Sequence, residues 1–330
     1  MRNKTEIKRQ MKRHLQALYE QKKITGARFC ISWRGEKIAE SELGLADYYV
    51  DIQSVTKMFT AAAILQLWEQ GILHFHDSVA KFIPEFNRPL FSQITVLQLL
   101  THTSGLAAVP DAFPARSMNW EAQIGDDVRS EWIPAILKQG LFYRPGTKWE
   151  YSKAGFCILG ELIQRITKQK AEKYIREQIL LPCDMKESYW RAEDGSIWDV
   201  IPNTAAGLFV PVGELVQFGM MLAAGGVYKR RRVLKEASVR KLEENQLPDG
   251  MRDFCWDHDG RPVAYGAGCP ILHAYGESAV YHEGAGGVML LINRKEKLSA
   301  AWSAPFSNRN EWCDEAIIGT AIRLMGEFFS

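Results

Sequence analysis

One segment constrains the fold more than any other: residues 54–70 read SVTKMFTAAAILQLWEQ and are followed by Gly71. The segment contains strong helix formers and neither proline nor glycine, and a glycine typically follows the last residue of a helix. The predicted helix is apolar on nearly every side, whereas a helix at the protein surface keeps a polar face. We therefore expect a buried central helix around which the rest of the chain packs.

Strand patterns lie before this helix and again near the end of the chain. Five segments have the apolar and β-branched composition typical of strands, namely 27–33, 37–43, 279–282, 288–293 and 298–303. Tight turns at 34–36 and 294–297 join the first two and the last two of these segments, which predicts antiparallel pairing. The intervening residues are mostly helical, with clear helices near 96–100, 131–139 and 154–167.

Amphipathic helices are predicted at both ends of the chain. Four apolar residues recur at helical spacing near the start, namely Ile7, Met11, Leu15 and Leu18. We expect this stripe to dock on the protein's own sheet rather than on a membrane surface, and we predict a last helix from about 310 to 328. Together these elements predict an α+β fold, in which residues 1–71 and 206–330 form one domain and residues 72–205 form a mainly helical second domain.

Composition narrows the classes of partner. Lysine and arginine together number 41 and aspartate and glutamate 39, so the chain has no general attraction for nucleic acid or anionic lipid. A small-molecule substrate is the better prediction, and the sequence leaves the oligomeric state open. No apolar run approaches the roughly 20 residues that span a bilayer. The first residues lack the apolar stretch of a signal peptide, which predicts a cytoplasmic protein if Met1 is the true start.

Metal and nucleic-acid sites are not indicated. The six cysteines, with no C-x-x-C pair, are predicted to be free thiols in a reducing compartment. His74 and His76 flank one residue, but no further ligand cluster accompanies them, so neither a metal nor another cofactor is predicted. His102 is predicted to order a loop. The basic run 229–232 lies between apolar segments and predicts a surface hairpin turn rather than a nucleic-acid site.

Three Ser-x-x-Lys patterns occur in the chain, whereas a sequence of this length contains roughly one by chance. Ser78 is followed closely by Pro84, which stops a helix. Ser238 lies in the highly charged segment 235–245, which predicts a solvated helix. Only Ser54 opens a buried helix, so we regard Ser54 as the candidate nucleophile.

The spacing of Ser54 and Lys57 suits nucleophilic catalysis, because positions three apart share one face of a helix. The helix N-terminus also favours an oxyanion and the neutral form of the lysine amine. A plain alternative is that Ser54 caps the helix and Lys57 is a surface residue. Further motifs must decide between these two interpretations.

Two later motifs carry residues that could complete a site. In the run PGTKWEYSK, Tyr151 precedes a predicted helix and could project into a cleft as a phenol or phenolate. In YHEGAGG, residues 281–287, a strand runs into glycines that permit close backbone approach, and an N–H group there could complete an oxyanion hole. A half-buried tyrosine and a glycine bulge are the ordinary alternatives.

The three motifs in this order and spacing, SVTK at 54–57, YSK at 151–153 and HEG at 282–284, resemble those of the class C β-lactamase-like serine hydrolases. The blocks LLTHTSGL at 99–106 and AAGL at 205–208 also resemble family sequence. The family includes β-lactamases, penicillin-binding DD-carboxypeptidases, D-aminopeptidases and esterases. The resemblance implies a β-lactamase/transpeptidase-like fold, with an antiparallel sheet flanked by the N- and C-terminal helices, an all-helical domain, and the active site where the two parts meet.

The resemblance also implies roles for individual residues. Ser54 would attack an acyl carbon, while Lys57 and Tyr151 would share the proton transfers. The backbone N–H groups of Ser54 and Ala285 would form the oxyanion hole. Three residues would contact the substrate, namely Lys153, His282 and Gly284.

Two residues depart from the family pattern. Lys153 stands where the second motif usually has asparagine, which favours an anionic or carbonyl-rich substrate and makes efficient β-lactam turnover doubtful. His282 stands where many β-lactamases have lysine, a variant typical of the D-aminopeptidase and esterase branches. We therefore predict a serine hydrolase that cleaves an ester or amide, such as a D-amino-acid amide or small peptide. An acyltransferase and a non-catalytic module that traps an acyl group are the alternatives.

Overall fold

The computed structural model describes residues 4–44, 47–106, 128–190, 201–248, 251, 264–308 and 313–329. Its α-helices are α1 (Lys4–Glu20), α2 (Thr56–Glu69), α3 (Val96–Leu100), α4 (Val128–Lys138), α5 (Lys153–Thr167), α6 (Ala171–Ile175), α7 (Val212–Ala223), α8 (Glu236–Glu243) and α9 (Ile318–Phe329). Its strands are β1 (Gly26–Trp33), β2 (Glu36–Gly44), β3 (Tyr49–Asp51), β4 (Tyr189–Trp190), β5 (Leu208–Pro211), β6 (Val227–Tyr228), β7 (Arg231–Arg232), β8 (Ala264–Tyr265), β9 (Pro270–Ala274), β10 (Glu277–Gly284), β11 (Val288–Asn293) and β12 (Leu298–Ser303).

An antiparallel sheet of seven described strands forms the centre of the fold, in the order β2-β1-β12-β11-β10-β9-β8. The hairpin of β1 and β2 closes through Arg34 and Gly35, whose φ angles of 52° and 82° suit the twist of a two-residue turn. Strands from both ends of the chain therefore lie side by side, because β1 pairs with β12. The prediction of an α+β fold with an antiparallel sheet is confirmed.

One face of the sheet packs against the terminal helices. The stripe predicted at the start of the chain is buried on α1, with Leu15 only 1% exposed. It shares an apolar cluster with residues of α9 and with alternate strand residues such as Phe29, Tyr281 and Trp302. The docking of the first helix on the protein's own sheet is thus confirmed.

The opposite face of the sheet packs against α7 and joins the core around α2. Residues Thr56 to Leu67 of α2 are all buried, as the apolar pattern of that segment predicts. The cluster continues from α2 into the helical middle of the chain through α3 and α5 and reaches strand residues such as Val280 and Leu290. Core residues of both predicted domains thus share one cluster, and the domain boundaries stay a prediction.

The last helix was predicted to begin too early. Residues 310–312 lie outside the described part of the chain, Asp314–Ala316 form a short 3₁₀ turn, and α9 begins at Ile318. Six of the eight residues 308–315, NRNEWCDE, are charged or polar, so this segment offers little of the apolar face that docks α9. The basic run 229–232 forms the turn and the second strand, β7, of a small hairpin with β6, as the predicted surface hairpin turn requires. Of the helices described, none combines the length and apolar character needed to cross a membrane.

Candidate active site

Ser54 lies in a 3₁₀ turn, Gln53–Val55, immediately before α2. The backbone enters this turn in a strained conformation, because Gln53 has a φ of 47°. The Asp51 carboxylate accepts the Gln53 N–H at 3.0 Å, and the Ile52 N–H donates to the Leu208 carbonyl at 3.0 Å. These bonds fix the turn that presents Ser54.

The Ser54 hydroxyl oxygen lies 3.0 Å from Lys57 Nζ and 2.8 Å from the Tyr151 phenol oxygen. Lys57 is the second residue of α2, three positions after Ser54, whereas Tyr151 comes from the loop before α5. The helix-cap alternative is wrong, because Val55 is the N-cap residue of α2 and its cap carries no side-chain hydrogen bond. The structure therefore brings together the three residues that the motifs singled out for proton transfer.

Lys57 is 0% exposed, although it carries an amine. Its Nζ donates to the Ala205 carbonyl at 2.7 Å and lies 4.9 Å from the centre of the Tyr151 ring. Burial lowers the pKa of Lys57 well below its ordinary value of 10.5, and the nearby charge of Lys153 lowers that pKa further. A neutral amine next to a hydroxyl can accept its proton, so Lys57 is suited to act as a base.

His102 lies beside this group, although the sequence favours a role in ordering its loop over a contact with the pocket. Its ring is 1% exposed and its centre lies 4.4 Å from that of the Tyr151 ring. Burial lowers the pKa of His102 well below 6.5, with smaller contributions from Lys57 and His282. Because His102 Nδ1 accepts the Ser152 N–H at 3.1 Å, the ring proton is assigned to Nε2.

His282 is on the face of β10 that is directed toward α2, since it follows Val280 at the strand period. It is 3% exposed, and its Nδ1 lies 2.9 Å from the Glu283 carbonyl, which can only accept a hydrogen bond. Burial, followed by the charge of Lys57, lowers the pKa of His282 to about 3. A neutral, buried imidazole does not supply the cation that lysine supplies in many β-lactamases. Substrate contact by His282 stays a prediction.

Glu283 lies on the other side of the sheet, paired with Met289 in the layer covered by the terminal helices. Burial, followed by the charge of Asp314, raises the pKa of the Glu283 carboxyl to about 8. Alternation along β10 therefore separates the histidine of the HEG motif from its glutamate.

Gly284 ends β10 against the turn that carries Ser54. A Cβ atom at this position would lie 2.4 Å from the Ile52 carbonyl oxygen, closer than real Cβ atoms come. The close approach predicted for a ligand is thus made by the protein's own backbone, and a substrate contact of Gly284 stays a prediction. Ala285 is exposed in the turn after β10, and the oxyanion hole of Ser54 and Ala285 also stays a prediction.

Ser152 and Lys153 of the YSK motif have different roles at the start of α5. The Ser152 hydroxyl caps this helix by accepting the Gly155 N–H at 3.1 Å. Lys153 is the first helical residue and is half-buried, and its charge acts on Lys57. Its position at the site is consistent with a substrate contact, which stays a prediction.

In the other two Ser-x-x-Lys pairs, the serine stabilises local structure through hydrogen bonds. Ser78 caps a 3₁₀ turn by accepting the Ala80 N–H, and Lys81 pairs with Asp77. Ser238 is buried on α8 and donates to Glu69, so the helix that was predicted to be solvated has a buried side, and Ser238 lies on it. The apolar side of α8 docks on the core and takes Ser238 with it, although the helix is highly charged.

The remaining sequence candidates lie apart from this group. His74 and His76 are exposed in the loop after α2, and the described residues contain no cluster of three metal-ligating side chains. Five cysteines are free thiols, four of them buried, while Cys255 lies outside the described residues. Ala205, whose carbonyl oxygen accepts a hydrogen bond from Lys57, was not predicted as a site residue; the AAGL block marks this position only as a family resemblance.

Comparison with known proteins places the chain in a family. The Beta-lactamase family model matches residues 11–324. Protein flp of Staphylococcus aureus (strain MW2) is 35% identical over 144 residues, which are 43% of this chain and 28% of that protein. The match thus spans little more than a quarter of this curated relative.

Solved structures extend the likeness across the whole fold. A D-stereospecific amidohydrolase from Streptomyces sp. has a TM-score of 0.69 at 21% identity, covering 88% of this chain and 93% of its own. A family VIII carboxylesterase has a TM-score of 0.76 at 19% identity, covering 96% of each chain. At such identities these structures show a shared fold. The family model matches nearly the whole sequence, and this match establishes that the chain belongs to the Beta-lactamase family.

Proposed function

We propose that this protein is a serine hydrolase that cleaves an ester or amide through an acyl-enzyme on Ser54. One observation carries the proposal: the Ser54 hydroxyl lies within hydrogen-bond distance of both Lys57 Nζ and the Tyr151 phenol. Lys57 is buried and its pKa is lowered, so a neutral base contacts the candidate nucleophile.

The proposed reaction begins when Ser54 Oγ attacks the acyl carbon of the substrate. The serine proton passes to Lys57 and Tyr151, which act as one coupled pair. The bond to the leaving alcohol or amine then breaks, and the leaving group takes a proton from this pair. Water attacks the acyl-enzyme in the reverse sense, returns the proton to Ser54 and releases the acid.

The substrate class is proposed from Lys153. A half-buried lysine beside a neutral Lys57 makes the site electropositive at the N-terminus of α5. We infer that an ester or amide with a carboxylate or several carbonyl groups near the scissile bond is preferred. The carboxylesterase and the amidohydrolase among the fold neighbours make both bond types reasonable choices for a first screen.

Intact-protein mass spectrometry tests the proposal. The protein is mixed with activated esters, D-aminoacyl amides and a penicillin, and both mass gain and product release are followed. We expect a transient acyl mass with the wild type and none with Ser54→Ala. The variant Ser78→Ala, which alters another Ser-x-x-Lys pair, should behave as the wild type. Absence of acylation and turnover in the wild type, or full activity of Ser54→Ala, would refute the proposal.

The same experiment separates the alternatives. Faster turnover on addition of an alcohol or amine acceptor would indicate an acyltransferase. A stable acyl mass without product release would indicate a module that traps the acyl group. A hydrolase releases the acid at a rate that does not depend on an added acceptor.

A further inference from the structure

His102 binds the backbone on both sides of Tyr151. Its carbonyl oxygen accepts the Glu150 N–H at 2.8 Å, and its Nδ1 accepts the Ser152 N–H at 3.1 Å. One residue of a distant loop therefore holds the amide before Tyr151 and the amide after it. Two such bonds restrict the direction in which the Tyr151 side chain leaves the backbone.

The imidazole ring also packs against the Tyr151 ring, with 4.4 Å between the ring centres and an angle of 36° between the planes. Phe156, Tyr265 and Trp149 surround the imidazole, with ring centres 5.2, 5.4 and 5.8 Å from its own. A ring enclosed in this way has little room to change rotamer. It therefore forms a firm support for the phenol.

The loop holds His102 in a conformation that few side chains adopt. Its φ is 56°, in the left-handed region, where histidine and asparagine are more common than most residues. On either side, the hydroxyls of Thr101 and Thr103 bond to each other at 2.9 Å, and the Thr103 carbonyl accepts the Gly146 N–H at 2.7 Å. The strained backbone conformation is thus located at the residue that contacts Tyr151, and such strain is common at functional sites.

We propose that His102 is a positioning residue, which holds the Tyr151 phenol against Ser54 Oγ and acts on the reaction only through Tyr151. The proposal rests on the proposed function, in which Tyr151 takes part in proton transfer. It requires a neutral imidazole, because a proton on Nδ1 would oppose the Ser152 N–H. The lowered pKa of His102 keeps the ring neutral at ordinary pH.

Two variants separate the parts of this contact. His102→Asn keeps an acceptor at the position of Nδ1 and tolerates a positive φ, but it removes the ring. His102→Phe keeps a ring and removes the acceptor. Because a misplaced catalytic group can cost on the order of 100-fold in rate, we expect His102→Phe to lower kcat/KM by about 10- to 100-fold. His102→Asn restores the bond to Ser152 but lacks the supporting ring, so its kcat/KM should lie between those of the wild type and His102→Phe.

A double-mutant cycle with Tyr151→Phe tests whether His102 acts through Tyr151. In the Tyr151→Phe background there is no phenol to position, so His102→Phe should lower kcat/KM by less than about 2-fold. A structural residue that acts independently would cost the same factor in both backgrounds, and that result would overturn the proposal.

Hydrogen exchange at the Ser152 amide keeps the test separate from activity. We expect slow exchange in the wild type and in His102→Asn, and faster exchange in His102→Phe. If the wild type is never acylated, the proposed function fails, but hydrogen exchange still reports whether His102 holds the Ser152 amide. Equal exchange rates in all three proteins would overturn the proposal. The proposal would also be overturned if the wild type is acylated and His102→Phe shows fast exchange but is acylated at the same rate.

Discussion

Replacing Tyr151 with phenylalanine removes a single oxygen from the candidate site. The ring keeps its contact with His102, 4.4 Å away, and with Lys57 Nζ, 4.9 Å from the ring centre. Ser54 Oγ loses the phenol at 2.8 Å and keeps Lys57 at 3.0 Å. The change therefore tests the phenol while leaving the packing around it in place.

The expected loss follows from these contacts. A group that transfers a proton in the transition state contributes about 10²- to 10⁴-fold, so kcat/KM for acylation should fall by at least about 100-fold. That factor corresponds to about 2.7 kcal/mol of activation free energy. The free energy of unfolding should fall by only about 0.5–1.5 kcal/mol, the usual worth of one hydrogen bond. A large loss of rate with a small loss of stability is the signature of a catalytic hydroxyl.

The assay is single-turnover acylation by an activated ester, followed by mass, together with urea unfolding of the same samples. Tyr143→Phe is a suitable control, because Tyr143 is also half-buried and its phenol binds Lys148 at 3.0 Å. We expect the control to lose similar stability and no acylation rate. If Tyr151→Phe acylates as fast as the control, the phenol is outside the proton path and the reasoning fails.

Two further predictions concern the surroundings of Ser54. Lys153→Met removes the charge that, together with burial, lowers the pKa of Lys57, so this pKa should rise. Because the neutral amine is the active form, the acid limb of the kcat/KM profile should move to higher pH, and the preference for anionic esters should weaken. An unchanged pH profile and an unchanged ester preference would contradict these expectations. Gly284→Ala places a Cβ atom 2.4 Å from the Ile52 carbonyl and should cost about 1–3 kcal/mol of unfolding free energy in urea titrations, together with a lower acylation rate. Gly286→Ala is its control, with the nearest atom 4.0 Å away; similar losses in the two variants would contradict the argument from close packing.

The amino-acid sequence determined the elements of this fold to a large extent. The apolar run of α2 predicted its burial, and the apolar spacing of α1 predicted the four residues that dock on the sheet. The bounds of β11 and β12 agree with the sequence prediction, since polar turn residues mark their ends. Helical spacing also predicted the approach of Lys57 to Ser54. All of these signals are local, because they depend on residues a few positions apart.

Contacts between distant segments were decided by the tertiary structure. Tyr151 and Ser54 are 97 residues apart in the sequence, and Ala205, whose carbonyl binds Lys57, is 148 residues from Lys57. No periodicity encodes these contacts, so the sequence offered the contact of Tyr151 with Ser54 only as a family resemblance and gave no prediction of the contact with Ala205. The burial that lowers the pKa of Lys57 and His102, and the two bonds from His102 around Tyr151, have no local signal. They arise because packing removes water from side chains that the sequence leaves far apart, and only the folded chain fixes which groups then meet.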